Sequence, residues 1–121
     1  MKRTKLKKIS DTRRALLEEK PEGNPLHKWF LELWDIREDN RGIINCFETG
    51  KELQRRFYRE NTVCYSHILP KELYAEYEYK EWNVKIVHPA AHSQYEIFPE
   101  KAPKQLAEYE KLIKLHEKGE L

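Results

Sequence analysis

Apolar residues recur at helical spacing in two long segments of the chain. Asn24-Pro25 has the pattern of an N-cap followed by proline at the first helical position, and a helix is predicted over about 25–38. The apolar stripe of that helix, which we interpret as core, comprises Leu26, Trp29, Phe30, Leu33 and Ile36, with Trp34 beside them. A second amphipathic pattern predicts a C-terminal helix over about 104–118 that folds back on the core.

Shorter runs rich in β-branched and aromatic residues predict strands between these helices. Residues 43–47 form the first candidate strand, and the following turn, 48–51, contains Gly50, which is free to adopt a positive φ. Residues 62–69 and 82–87 are the other two candidate strands, each ended by a proline.

The remaining segments complete an α+β interpretation. Residues 90–98 fit a short helix that Pro89 begins, whereas 52–59 and 71–80 stay ambiguous between helix and irregular structure. Mixed short strands and helices of this kind predict a small α+β fold with flanking N- and C-terminal helices.

Composition excludes several classes of protein. The chain has 121 residues, 36% charged and 39% hydrophobic, which suits one domain with a modest core. No apolar run approaches a membrane span, and no apolar segment of a secretory signal follows the basic N-terminus. Two cysteines, Cys46 and Cys64, cannot form a disulfide framework, so we expect a cytoplasmic protein, with Cys64 as a small buried hydrophobe.

Positive charge is concentrated at the N-terminus. Residues 1–14 hold seven basic side chains and one acid, a local balance of 7 − 1 = +6. This segment is either an arm that binds DNA phosphates or a solvated terminus. We therefore divide the chain into an arm with a short helix, 1–23, and a single domain, 24–121, whose core spans about 43–98. The candidate DNA-binding residues of the arm are Lys2, Arg3, Lys5, Lys7, Lys8, Arg13 and Arg14.

One order of residues suggests chemistry: His67 at the end of a predicted strand, Asn83 before the next strand, and His92 on the helix after it. This His-Asn-His order resembles the phage HNH endonucleases of the ββα-metal fold. The stretch from 26 to 39 that leads into Cys46-Phe47-Glu48-Thr49-Gly50-Lys51 is also similar to the NinG-like phage recombination nucleases. The resemblance covers roughly residues 25–98.

The resemblance implies a role for each of these residues. His67 falls on the family's general base, and Asn83 on the residue that tethers the loop carrying that base. His92 falls on the helical metal ligand, and Glu96, one turn later, falls where some members have a second ligand. Side chains four residues apart share one helix face, so this pair could hold one Mg²⁺ or Mn²⁺ ion together.

Two departures from the family pattern concern metal binding. Ser66 stands where the family commonly has a metal ligand. Many relatives also have a four-ligand structural zinc site, of which only Cys46 and His88 remain here as a candidate degenerate site. We therefore expect the structural zinc to be lost and its place to be taken by packing of Phe47 and Trp82.

Each residue also has a structural interpretation. His67 could be a partly buried histidine bonded to a backbone carbonyl, Asn83 could cap a turn, and His92 could be an exposed helical residue. His27 and His116 fall on predicted helix surfaces, where no role is expected.

The function predicted from the sequence is a metal-dependent HNH-type DNA endonuclease, encoded by a phage or prophage. Lys71 and Lys85 are further candidates for DNA contacts near its site. The alternative is a catalytically inactive HNH-derived DNA-binding or adaptor protein, with a host-directed interaction protein as a third option. DNA is the expected partner and a membrane is not; the oligomeric state stays open, with a homodimer as one option.

Overall fold

The computed structural model describes residues 24–121, so the predicted arm and its short helix lie outside the described residues. The α+β prediction is confirmed, because the described chain combines helices with two small antiparallel sheets. Its elements are α1 (Pro25–Arg37), β1 (Ile43–Asn45), β2 (Glu52–Gln54), α2 (Arg55–Tyr58), β3 (Tyr65–His67), β4 (Val84–Ile86), α3 (Pro89–Ile97) and α4 (Pro103–Glu117). Single 3₁₀ turns at Thr62–Cys64, Ala75–Tyr77, Glu81–Asn83 and Pro99–Lys101 lie between them.

Helix α1 begins as its sequence predicts. The Asn24 side chain accepts a hydrogen bond from the Leu26 backbone N–H at 2.8 Å, and Pro25 occupies the first helical position. This cap satisfies one of the amides that a helix N-terminus leaves without an intrahelical partner.

The buried face of α1 differs from the predicted stripe at one end. Phe30, Leu33 and Trp34 are buried, but Ile36 is 78% exposed, so its assignment to the core is wrong. Positions 30, 33, 34 and 37 share one helix face, and position 36 lies well to the side of it.

At the end of that face stands Arg37 rather than an apolar residue. Its guanidinium donates to the backbone carbonyls of Val84 and Glu81, at 2.7 Å each. A charged donor on two carbonyls thereby fixes α1 against the chain that enters β4.

The first hairpin is closed by a short segment. Strands β1 and β2 pair with Ile44 opposite Leu53, and residues 46–51, the knuckle, connect them. Inside the knuckle, the Cys46 backbone N–H donates to the Lys51 carbonyl at 2.7 Å. Gly50 has φ of +78°, as predicted for this turn.

The second hairpin is closed by a long loop, residues 68–83. Strand β3 pairs with β4, so that Tyr65 faces Ile86 and His67 faces Val84. The predicted strands 62–69 and 82–87 are longer than the observed ones because a 3₁₀ turn precedes each. The Asn61 side chain caps the first of these turns by accepting from the Val63 N–H at 3.0 Å.

The core has two parts, and the C-terminal helix covers the second. The first part lies between α1, both hairpins and the start of α3, around the fully buried Trp34. The second contains Ile68, Leu69 and Tyr77, against which Leu112 of α4 packs, so the predicted fold-back of this helix is confirmed. Within residues 24–121, no helix has the length and apolar character that crossing a membrane requires.

Candidate functional site

A cavity of about 820 Å³ opens between α1, β3, the long loop, α3 and α4. The candidate base and both candidate metal ligands line it: His67 comes from the end of β3, and His92 and Glu96 come from α3. Folding therefore brings the candidate base and both candidate metal ligands to one cavity, although they lie on two different elements.

His67 is held in one tautomer. Its Nε2 lies 2.9 Å from the Glu78 carbonyl oxygen, which can only accept, so Nε2 carries the proton in the neutral ring. Burial lowers the pKa of His67 below its ordinary value of 6.5, against the opposing effect of that hydrogen bond. Among residues 24–121, no hydrogen bond occupies Nδ1, which leaves a neutral imidazole with a free lone pair.

His92 and Glu96 face one another across one helical turn. His92 Nδ1 lies 2.6 Å from the Val63 carbonyl oxygen, so the neutral ring carries its proton on Nδ1 and its lone pair on Nε2. That Nε2 lies 3.1 Å from a Glu96 carboxylate oxygen. Two acceptors at this distance require a cation between them, either a proton or a metal ion.

The same pair fits the geometry of an octahedral ion. With bonds of about 2.1 Å, two ligands at a right angle lie about 3.0 Å apart, close to the separation of these two atoms. In the described chain, however, no three His, Cys, Asp or Glu side chains gather into a metal site. Water and substrate phosphate would therefore supply most ligands, as is usual for Mg²⁺.

Asn83 connects the two ends of the long loop. Its buried amide nitrogen donates to the carbonyls of Leu69, at 3.0 Å, and Tyr77, at 3.3 Å, and its oxygen accepts from the Leu69 N–H at 2.8 Å. The loop that follows His67 thus depends on a side chain sixteen positions later in the sequence (83 − 67 = 16).

Ser66 faces away from the cavity. Side chains alternate along a strand, so Ser66 points to the face opposite Tyr65 and His67. There its hydroxyl donates to the Gln105 side-chain oxygen at 2.8 Å, and both residues are fully buried. Ser66 therefore packs against α4 and does not line the cavity.

The side chains of the candidate zinc ligands Cys46 and His88 both accept hydrogen bonds from backbone amides. The Cys46 sulfur accepts from the backbone N–H groups of His88, at 3.2 Å, and Thr49, at 3.4 Å. The His88 ring caps α3 by accepting from the Ala90 N–H at 3.1 Å. Burial raises the pKa of Cys46, but the hydrogen bonds from Thr49, His88 and Glu48 outweigh it, and the net shift is downward.

The expected packing around the knuckle is half right. Phe47 packs against the first part of the core, but Trp82 packs against Tyr77 in the second part, away from the knuckle. The contacts at the Cys46 sulfur are therefore backbone amides and not the Trp82 ring.

Of the lysines expected near the site, one is placed there. Lys71 lines the cavity. Lys85 pairs with Ser66 across the hairpin, so both side chains lie on the face turned away from the cavity. The Lys85 Nζ lies 3.7 Å from a Glu108 oxygen and over the Phe47 ring, so the assignment of Lys85 near the site is wrong. The candidate DNA-binding residues of the arm lie outside the described range.

His27 and His116, which were predicted to lie on helix surfaces without a role, are both partly buried. His27 lines the cavity, and among residues 24–121 its buried Nδ1 has no hydrogen-bond partner. His116 Nδ1 lies 2.8 Å from the Tyr77 hydroxyl and ties α4 to the long loop. For His27 a signal was present, because it lies three positions before the buried Phe30 and shares its helix face.

Cysteine 64 behaves as expected of a small buried hydrophobe. It is fully buried, and burial raises the pKa of its thiol to about 12.

In comparisons with known proteins, no family model, curated protein or solved structure matches this chain.

Proposed function

We propose that this protein is a metal-dependent endonuclease that hydrolyses DNA phosphodiester bonds on an HNH-type ββα-metal unit formed by β3, β4 and α3. The single observation that carries the proposal is the meeting of two groups in one cavity. One is His67, whose Nδ1 makes no hydrogen bond within residues 24–121, and the other is the His92–Glu96 pair, with Nε2 and a carboxylate oxygen 3.1 Å apart.

His67 would act as the general base. Its Nδ1 takes a proton from water, the water oxygen attacks phosphorus, and the ester bond to the leaving oxygen breaks. The leaving oxygen then takes up a proton from solvent. The Glu78 carbonyl supports this role, because it holds the proton on Nε2 and stabilises the ring once Nδ1 has become protonated.

His92 and Glu96 would hold the divalent cation. When bound, Mg²⁺ or Mn²⁺ neutralises charge on the phosphate and on the leaving oxygen. The Val63 carbonyl orients the His92 ring so that its Nε2 points to Glu96, as outer partners of metal-bound histidines do. With two side-chain ligands, we expect weak metal binding that DNA strengthens.

The connection between the elements supports the same proposal. An antiparallel hairpin is followed directly by α3, and the base, the loop-tethering Asn83 and the helical His92 appear in the HNH order. Lys71 at the cavity would contact phosphate, with the basic arm adding sequence-independent affinity. The phage or prophage origin rests on the resemblance alone.

The test is cleavage of supercoiled plasmid and branched DNA by the wild type and His67→Ala, with Mg²⁺, Mn²⁺ or EDTA. We expect metal-dependent nicking that falls at least about 100-fold in His67→Ala. Gln94→Ala is the matched control, because this residue lies exposed on α3 and does not line the cavity. Equal cleavage by wild type and His67→Ala would overturn the assignment of the base.

A second candidate function is a catalytically inactive DNA-binding or adaptor protein. Ser66 favours it, because its hydroxyl is committed to Gln105 and the site keeps only two side-chain ligands. This candidate predicts a folded protein that binds DNA with a steep salt dependence and cleaves none under any metal condition.

A further inference from the structure

A buried polar network joins four segments of the fold around Gln105 of α4. The Gln105 side-chain oxygen accepts from the Ser66 hydroxyl at 2.8 Å. Its amide nitrogen lies 3.2 Å from the Ala91 carbonyl and 3.2 Å from a Glu48 carboxylate oxygen. The network therefore connects β3, α3, α4 and the knuckle.

The partners determine which way the Gln105 amide points. The Ala91 carbonyl and the Glu48 carboxylate can only accept, so the amide nitrogen must face them and the oxygen must face Ser66. Every polar atom of this fully buried side chain then has a partner. Removing the amide would leave a buried hydroxyl unpaired, which is costly in an apolar environment.

Glu48 fixes the network to the start of α4. Its two carboxylate oxygens accept from the backbone N–H groups of Lys104, at 3.0 Å, and Gln105, at 2.9 Å. A carboxylate at a helix N-terminus is stabilised by the helix dipole and satisfies amides that lack intrahelical partners. The knuckle thus holds α4 in the position from which Gln105 reaches both sides of the site.

Two of the three side-chain contacts of Gln105 fall next to the two halves of the candidate site. Ser66 immediately precedes His67, and Ala91 immediately precedes His92. A shift of either residue moves the backbone of the next one, although Gln105 touches neither histidine.

We infer that Gln105 is a positioning residue that sets the placement of His67 relative to His92 by holding the residue before each of them. This inference rests on the proposed function. It also accounts for Ser66: the serine links the base-bearing strand to Gln105 instead of ligating the metal.

The two contacts can be separated by mutation. Ser66→Ala removes the bond on the His67 side and leaves the bond from Gln105 to Ala91. Gln105→Met removes all three side-chain bonds, to Ser66, Ala91 and Glu48, with a side chain of similar size and shape. Gln94→Met is the matched control, since Gln94 lies exposed on α3.

Three measurements on the full-length protein report the outcome. Ring ¹⁵N NMR shifts give the tautomer of His67, calorimetric titration gives the affinity for Mn²⁺, and plasmid cleavage gives kcat and KM. We expect Ser66→Ala to alter the His67 tautomer populations and to leave Mn²⁺ affinity within about 2-fold. We expect Gln105→Met to alter the tautomer populations, to weaken Mn²⁺ binding about 10-fold, and to lower kcat while leaving KM for DNA unchanged.

A purely structural Gln105 would give a different result. It would lower the free energy of unfolding and leave the His67 tautomer and Mn²⁺ affinity of the folded protein unchanged, and that result overturns the inference. If Gln105→Met does not fold, Ser66→Ala decides, because an unchanged His67 tautomer in that variant contradicts the inference equally.

The test separates this inference from the proposed function. If the wild type cleaves no DNA, the proposed endonuclease activity is wrong. The His67 tautomer measured in the variants would still show whether Gln105 positions His67. A wild type that cleaves, together with a Gln105→Met variant that matches it in all three measurements, would reject the positioning alone.

Discussion

The two hairpins have strands of the same length, three residues each, but they are closed in different ways. The knuckle closes β1–β2 with bonds among its own residues, chiefly the Cys46 N–H to the Lys51 carbonyl and the Thr49 N–H to the Cys46 sulfur. The long loop closes β3–β4 and depends on one buried side chain, Asn83, which bonds to Leu69 and Tyr77.

The difference follows from loop length. A six-residue closure can satisfy its backbone groups locally, whereas a long loop that covers part of the core needs a partner for each buried amide and carbonyl. The long loop in return delivers the Glu78 carbonyl to His67 and Lys71 to the cavity. The hairpin β1–β2 therefore contributes packing, whereas β3–β4 and its long loop carry the candidate chemistry.

The largest effect on stability should come from Asn83→Ala. This change leaves the backbone N–H and carbonyl of Leu69 without partners and removes one of the two hydrogen bonds to the Tyr77 carbonyl, so we expect it to lower the free energy of unfolding by about 3 kcal/mol. Asn45→Ala, on the exposed side of β1, should cost no more than about 0.5 kcal/mol. Urea unfolding measures the free energy of unfolding of both variants. If the two losses differ by less than about 1 kcal/mol, the long loop does not depend on Asn83 as we infer.

The two cysteines should respond in opposite ways to serine and alanine. At Cys46, serine keeps an acceptor for the knuckle amides, so Cys46→Ala should cost more than Cys46→Ser, by about 1 kcal/mol. At Cys64, whose thiol makes no hydrogen bond within residues 24–121, a buried hydroxyl should make serine the worse change by a similar amount. Thermal unfolding of the four variants tests this crossover, and the same order at both sites would contradict it.

A smaller effect is expected from Gly50→Ala in the knuckle. A Cβ at this position meets nothing within 4 Å, so the cost comes only from its φ of +78° and should be about 1 kcal/mol. Gly50→Asn should cost less, because asparagine tolerates this conformation better. Equal stability of all three proteins in urea would show that the knuckle does not require this turn.

The smallest effect concerns pH. Because the folded pKa of His67 lies below the ordinary 6.5, the unfolded chain takes up this proton first as the pH falls. The contribution of His67 to stability is therefore complete above about pH 6.5 and is lost from there down through the folded pKa. Unfolding measured from pH 7.5 to 5 should show this fall in the wild type, and His67→Gln should reduce it.

The same shift predicts the pH dependence of cleavage. A general base works only when it is unprotonated, so the acidic limb of the rate profile should lie below pH 6.5. A limb at or above that value would indicate that His67 is not the group that titrates.

Local signals predicted several elements correctly. Asn24-Pro25 indicated the start of α1, Gly50 indicated the turn, and Pro89 indicated the start of α3, because each depends on backbone preferences of a few neighbouring residues. The amphipathic pattern of α4 was sufficient to predict this helix and its packing on the core. Strand ends were predicted less well, since Thr62–Cys64 and Glu81–Asn83 have strand-like composition but form 3₁₀ turns.

The amino-acid pattern alone was enough for the α+β class, for helices α1, α3 and α4, and for the order in which His67, Asn83 and His92 appear along the chain, but not for α2. Tertiary packing settled which neighbours the side chains meet: it buried Ser66 against Gln105, brought Lys85 beside Glu108 of α4, and placed His116 against Tyr77. It also decided the partners of Gln105, which lie up to 57 positions away. The physical reason is that caps and turns are made by neighbours, whereas a buried polar group is satisfied by whatever the fold brings beside it.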